Sequence, residues 1–335
     1  MVTAILLDVL TPILLMVGLG AILRWKFAID LGTLSKINIY LLVPAFIFDK
    51  VSSSRLSWEQ MGGVVAVTTV HVIVLGLLIW SVGRMLRVSR KTLAAIALAV
   101  MFYNSGNYGL PLAELAYPAD RPAPGAATGS TEKDGGAVQA FVLMTQNVLT
   151  YTLGLCIAAS AHGPNLGRSI VRVFRMPVLP TLAAALAARW WLGGDPSREL
   201  PIAISKTASY MSAALVPMAL ATLGAQLASN PRWPRWKPVS AVIFLRLIFG
   251  PAQMALLLYG FHKLGLRPLD LWNDNGWPAE LLILTAAVPS AVTTMLLTLE
   301  LNGDTDLAAD CVFWTTIFSC VTITLVLLIL RLSFP

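Results

Sequence analysis

The strongest constraint on this chain is a set of apolar stretches, each close to the roughly 20 residues a helix needs to cross the hydrocarbon core of a bilayer. Ten of them fall at about 4–23, 33–49, 62–83, 92–117, 137–160, 174–192, 203–228, 239–261, 279–299 and 307–331. Between them lies little charge: only 12% of the 335 residues are Asp, Glu, Lys or Arg, and 57% are hydrophobic. A soluble domain carries about 25% charged residues. Half that charge cannot cover a water-soluble body of this size, which excludes soluble domains, a disulfide scaffold and a disordered chain. The reading is an all-α polytopic membrane protein with ten transmembrane helices. The second and sixth stretches are short or interrupted by proline, so their ends are the least defined. The first does not read as a secretion signal: it carries Asp8, and its cations Arg24 and Lys26 come after the apolar run.

The net charge of +7 would suggest nucleic acid in a soluble protein. Here the cations sit in short loops between apolar runs, where the positive-inside rule accounts for them and no nucleic-acid partner is expected. One set of alternate loops holds thirteen Lys and Arg, among them Arg84, Arg87, Arg90, Lys91, Arg168, Arg172, Arg175, Arg235 and Lys237, with Asp30 as the only acid of those four loops. The other set holds ten, balanced by about as many acids. The first set is therefore expected inside, and both termini outside, in a cytoplasmic membrane. One loop disagrees: that carrying Glu300, Asp304 and Asp306 is expected inside yet is acidic. The longest polar stretch, 118–136, is rich in Pro, Gly and Ser and reads as a flexible loop. Cys156, Cys311 and Cys320 all lie in apolar runs and read as packing residues, with no disulfide and no metal site. No cofactor is expected.

Prolines mark an internal repeat. Pro44 in the second stretch and Pro217 in the seventh both follow Leu-Val, and Pro111 in the fourth is matched by Pro289 in the ninth at nearly the same spacing, about half the chain. Five helices per half is an odd number, so the halves enter the membrane from opposite sides. The expectation is two inverted five-helix repeats, 1–160 and 161–335, within a single integral membrane domain, an arrangement common in secondary transporters.

The chemistry concentrates where helices four and nine are expected to break, at Pro111 and Pro289. Irregular backbone in hydrocarbon survives only where it is buried in protein or lines a cavity. The fourth stretch packs Asn104, Ser105, Gly106, Asn107, Tyr108, Gly109 and Pro111 into eight positions. Asn104 lies thirteen residues past Lys91, about 20 Å along a helix and so near mid-membrane. In the ninth stretch Ser290, Thr293 and Thr294 follow Pro289. A helix that restarts at mid-membrane presents free N–H groups and a partial positive charge. Two such ends meeting would bind an anion without Lys or Arg. The alternative is a pair of ordinary proline kinks stabilised by neighbours.

With these residues in view, the sequence resembles the auxin efflux carrier family, in a bacterial-type form. The resemblance rests on LLVPAFIF, NSGNYGLPL, QNVLTYTLG, ALVPMALATLGAQL, LRLIFGP and AAVPSAVTTMLLTLELNGD, which touch most of the chain in the family's order. It implies two inverted five-helix repeats, a crossover helix pair broken at proline, and transport of organic anions such as auxin-like weak acids or dicarboxylates. By position it implies Asn104 and Pro111 at the first crossover, Pro289 at the second, Gln146 beside them and Val43 with Pro44 on a wall. The substrate-binding set expected is thus Val43, Pro44, Asn104, Asn107, Gly109, Pro111, Gln146, Pro289, Ser290 and Thr293. The make-up of the 118–136 loop, and the absence of the long central loop of many plant members, depart from the family without touching the crossover.

Intramembrane ionisable residues mark function by default. Arg246 either draws an anion into the cavity or pairs structurally with a carboxylate or with carbonyls freed by a broken helix; on the view that it acts at a distance, lysine would largely replace it. Glu114 is either a helix-start residue or a coupling site for a proton or cation. His71 reads as a buried hydrogen-bonding residue. No zinc-protease, nucleophile-elbow or phosphate-loop motif occurs, so an enzyme is not expected. The function expected is a secondary carrier of small organic anions working by alternating access, possible as a homodimer. The alternatives are a sodium-coupled organic anion symporter of the bile acid carrier type and a non-transporting membrane sensor.

Overall fold

A computed structural model describes residues 11–54, 56–117, 135–159, 177–192, 200–228, 234–272, 276–301 and 303–333. Most of the 118–136 loop, and the loop carrying Arg168, Arg172 and Arg175, lie outside the described residues. The described chain is helical, with no strand. We label the helices α1 (Thr11–Lys26), α2 (Leu31–Ser52), α3 (Trp58–Met85), α4 (Arg90–Met101), α5 (Leu110–Ala116), α6 (Gly135–Leu149, carried on to Ala159), α7 (Val178–Trp191), α8 (Ile202–Leu227), α9 (Trp236–Lys263), α10 (Trp277–Thr285), α11 (Val292–Glu300) and α12 (Thr305–Ser333). Six of them, α2, α3, α6, α8, α9 and α12, are long and apolar enough to cross a membrane. The chain is an integral membrane protein by this measure. The pairs α4/α5 and α10/α11 are each interrupted, so neither partner reaches that length alone.

Proline shapes several of these helices in one way. Wide π turns occupy Asn38–Leu42, Ser105–Gly109 and Leu245–Phe249, and each is followed two residues later by a proline: Pro44, Pro111 and Pro251. A proline ring crowds the carbonyl four residues back and offers it no N–H. Widening the preceding turn moves that carbonyl aside and lets the helix continue. Pro217 is accommodated differently, inside the continuous α-helix α8. The landmarks Pro44 and Pro217 therefore do not share a local geometry.

The fourth stretch is not broken at Pro111. The helix ends at Met101, leaves helical geometry at Phe102 (φ −113°, ψ 120°), and resumes at Ser105. Pro111 is the second residue of α5, directly after the π turn that makes room for its ring. In the ninth stretch Pro289 does lie in the non-helical residues between α10 and α11.

The chain forms two compact units, each drawing on both halves of the sequence. The first comprises residues 1–58, 106–144 and 174–231. Its helices α1 and α8 cross at small residues: a Cβ on Gly20 would meet the backbone of Ala221, and one on Gly224 would stand 1.8 Å from the carbonyl oxygen of Val17. Only glycine allows that approach. Asn38 Nδ2 donates to Thr222 Oγ1 at 2.9 Å, tying α2 to α8 in the buried interior. Lys50, at the end of α2, forms an ion pair of 2.6 Å with Glu114 of α5.

The second unit comprises residues 59–105, 145–173 and 232–335. Its core joins Val72, Leu75 and Ile79 of α3, the last turns of α4, Val239 and Val242 of α9, and Leu307 and Cys311 of α12. Arg235, just before α9, bonds both carboxylate oxygens of Asp304 at 3.1 and 2.5 Å. That hydrogen bond raises the Arg235 pKa above its ordinary value. Asp304, one of the acids of the loop that disagrees with the charge rule, is thus matched to a cation.

Candidate functional site

The breaks of the two interrupted pairs, Phe102–Asn104 and Pro289–Ala291, meet within the second unit. They run antiparallel as a miniature two-stranded ladder, with Tyr103 opposite Ser290. The Asn104 N–H donates to the Pro289 carbonyl at 2.8 Å, and the Ala291 N–H to the Phe102 carbonyl at 3.0 Å. Each break thus supplies hydrogen-bond partners to the other, which is what unsatisfied backbone inside a bilayer demands. Ser290 stitches the crossing further. Its Oγ donates to the Ala99 carbonyl at 2.6 Å, and its N–H donates to Thr315 Oγ1 of α12 at 3.1 Å.

Arg246 completes the crossing from α9. It is fully buried. Nη1 donates to the Val100 carbonyl at 2.7 Å, and Nη2 donates to the Ala286 carbonyl. These carbonyls belong to the ends of α4 and α10, where the helix dipole is negative and a cation is favourable. The guanidinium also lies 4.6 Å from the centroid of the Tyr103 ring, over its face. Of the two readings for Arg246, the structure shows the pairing with freed carbonyls. Its planar fork spans two elements, a fixed geometry that lysine's single ammonium does not share.

A buried polar layer surrounds the crossing. Gln146 lies beside Tyr103, and His71 of α3 faces both Arg246 and Gln253 of α9. Gln146, Tyr103, His71 and Gln253 are all buried. Tyr103, Thr315 and Gln253 were not singled out by the sequence. Tyr103 was within reach, standing directly before Asn104; Thr315 and Gln253 carry no local signal.

The residues expected at the site divide between the units. Asn104, Gln146, Pro289, Ser290, Thr293 and Arg246 belong to the second. Asn104 is buried at the crossing, and Thr293 is half-buried in the first turn of α11. Ser290 is wholly buried and its hydroxyl is held by Ala99, so its part here is to bind helix to helix. Val43, Pro44, Asn107, Gly109, Pro111 and Glu114 belong to the first unit. Asn107 and Gly109 lie in the π turn before α5. Pro44 lines an apolar groove of about 690 Å³ with Leu41, Phe48, Thr181, Ile204 and Met211. Glu114 is held by Lys50. Among the described residues no three His, Cys, Asp or Glu gather as a metal site.

Known proteins bear on this geometry. The chain is similar to an uncharacterized transporter of Methanothermobacter thermautotrophicus, 27% identical over 95% of this chain and 96% of the relative. It is also similar to an uncharacterized transporter of Methanocaldococcus jannaschii, 26% identical over 87% of each. A family model described as membrane transport protein matches residues 14–327, nearly the whole chain. Helices built to cross a bilayer, interrupted pairs joined at their breaks, and this match together place the chain in the membrane transport protein family, the auxin efflux carrier-like family.

Proposed function

We propose that the protein is a secondary carrier of small organic anions, built from ten transmembrane helices in two inverted five-helix repeats and working by alternating access. The observation that carries this reading is the crossing itself: two interrupted helix pairs joined backbone to backbone at Asn104 and Pro289. Such discontinuous helices are the usual substrate sites of secondary transporters. Beyond the crossing, α11 begins at Val292, and its first N–H groups have no partner within the helix by construction. They carry the positive end of the helix dipole. The hydroxyl of Thr293, in the first turn of α11, and the carboxamide of Asn104, whose main chain is bonded to Pro289, are the polar side chains proposed to join them. A carboxylate is the ligand this chemistry suits: it accepts from N–H, hydroxyl and amide donors and needs no bidentate arginine. On the family resemblance, Val43, Pro44, Asn107, Gly109, Pro111 and Gln146 are proposed as further contributors to recognition.

Arg246 weighs against the sodium-coupled alternative. A coupling cation at such a crossing would be drawn to carbonyls released by the broken helices. Here the carbonyls of Val100 and Ala286 are already engaged by a permanent cation.

Ligand binding tests the reading. A panel of weak organic acids and their neutral amides is titrated against purified protein, with thermal stability as readout and with sodium present or absent. At least one acid should stabilise the protein, its amide should not, and sodium should make no difference. Equal stabilisation by acid and amide would refute recognition of charge at the helix ends.

A further inference from the structure

The turn between α3 and α4 collects cations that no carboxylate among the described residues neutralises. Arg84, Arg87, Arg90 and Lys91 fall within eight residues, and the segment contains no acid. All four are exposed. None has a carboxylate partner among the described residues, in contrast to Arg235 of the same unit, which is bonded to Asp304.

The packing holds these charges together. A Cβ on Gly83 would stand 2.2 Å from Leu93 Cδ1, so the end of α3 and the start of α4 approach closely. Ser89 caps α4 through its hydroxyl, which accepts from the Thr92 N–H at 3.3 Å. The turn is short and defined on both sides, and four like charges are confined to it at a cost in mutual repulsion.

Two further features point to what offsets that cost. Arg87 adopts φ +53°, the left-handed conformation, at the C-terminal end of α3. That position is the usual place of glycine, and an arginine there is strained. The Val88 N–H returns to the Gly83 carbonyl at 3.0 Å, as expected of such a helix end. The side chain is retained where the backbone would favour having none. Around it the surface is apolar: Met85 is 75% exposed and Leu86 66%. Trp80, also exposed, lies under the Arg84 guanidinium, whose Cζ is 4.8 Å from the ring centroid. Tryptophan, arginine and exposed aliphatic side chains at the end of a membrane-spanning helix are what the headgroup layer of a bilayer accommodates.

We propose that this turn is a docking site for an anionic phospholipid, with Arg84, Arg87, Arg90 and Lys91 gripping the headgroup phosphate and Met85 and Leu86 seated among the acyl chains. Each cation near such a surface strengthens attraction about fivefold. The occupant is a lipid of the surrounding bilayer. A soluble anion would find the same charges but gain nothing from Met85, Leu86 and Trp80.

Native mass spectrometry on the full chain tests this. The protein is taken from vesicles of equal phosphatidylglycerol and phosphatidylcholine, and the bound lipids are counted. Wild type should retain phosphatidylglycerol over phosphatidylcholine by about tenfold or more, and a quadruple variant with glutamine at all four positions should lose the preference. Arg87→Gly separates binding from folding. It relieves the strained backbone, so thermal stability should hold or rise while phosphatidylglycerol retention falls about fivefold. Inorganic phosphate at physiological ionic strength should not displace the lipid. Equal retention of the two lipids by wild type, an undiminished preference in the quadruple variant, or displacement by inorganic phosphate would each overturn the proposal.

Discussion

The main-chain N–H of Asn104 donates to the carbonyl of Pro289 at 2.8 Å. Two residues from opposite halves of the chain thereby close the most exacting part of a membrane fold, the place where helices stop inside hydrocarbon. Ser290, Thr315 and Arg246 then engage further backbone groups around it. On the function proposed above, Asn104 and Thr293 beside this joint are the side chains that meet the ligand.

Asn104→Ala keeps the backbone bond to Pro289 and removes only the carboxamide. We expect transport to fall at least about tenfold, in line with loss of a hydrogen bond worth about 1–3 kcal/mol. Expression and melting temperature should stay near wild type, read by size-exclusion chromatography and a thermal ramp. Full transport by the variant would remove this side chain from recognition.

Arg246→Lys should fail as a conservative change. It leaves at least one of the Val100 and Ala286 carbonyls without a donor while keeping a buried charge, and the cost expected is about 3–5 kcal/mol. The measurement is the melting temperature in detergent together with monodisperse yield. A variant that melts with wild type would mean the fork is dispensable and would return Arg246 to the role of a distant anion attractor.

Lys50 and Glu114 are only partly buried, with side-chain exposures of 18% and 26%. A double-mutant cycle with glutamine at each position should give a coupling of about 1 kcal/mol, weaker at high salt. Exchanging the two residues, Lys50→Glu with Glu114→Lys, should recover most of the stability lost by either change alone. If Glu114→Gln instead abolished a proton or cation dependence of transport with stability intact, Glu114 would be a coupling group.

Gly224→Ala tests the α1–α8 crossing. The added methyl would meet backbone, which cannot rotate away, so the destabilisation should be about 3 kcal/mol or more, at the upper end for overpacking. Gly18→Ala on α1 is the control: nothing stands within 4 Å of its Cβ. It should be neutral or slightly stabilising, because alanine is the better helix former.

Much of the architecture was legible in the chain because a bilayer leaves few choices. Apolar length marked helices, and the cluster from Asn104 to Pro111 marked where one stops. Proline misled about the position: Pro111 draws the eye, yet the π turn of Ser105–Gly109 absorbs it, and the break falls where Phe102 turns extended. The partner of that break could not be read locally. Nothing in the residues around Tyr103 states that Ser290 will lie opposite it, or that Thr315 from the last helix will accept from Ser290, since these contacts join segments far apart in sequence. Arg246 was conspicuous as a charge within an apolar run, but its role depended on which carbonyls the two breaks released. The acidic loop after helix nine stood out in a count of charges, and its Asp304 is paired with Arg235, a contact that no local pattern states.

Uptake by proteoliposomes tests whether this protein carries organic anions across a membrane. Purified protein is reconstituted, and entry of a radiolabelled weak organic acid that stabilises it in the binding panel is followed against protein-free vesicles. We predict saturable, protein-dependent flux that excess unlabelled acid suppresses, the neutral amide does not, and Asn104→Ala reduces at least about tenfold. Binding of the acid without any protein-dependent flux would contradict the account and identify a sensor that has kept the fold of a carrier.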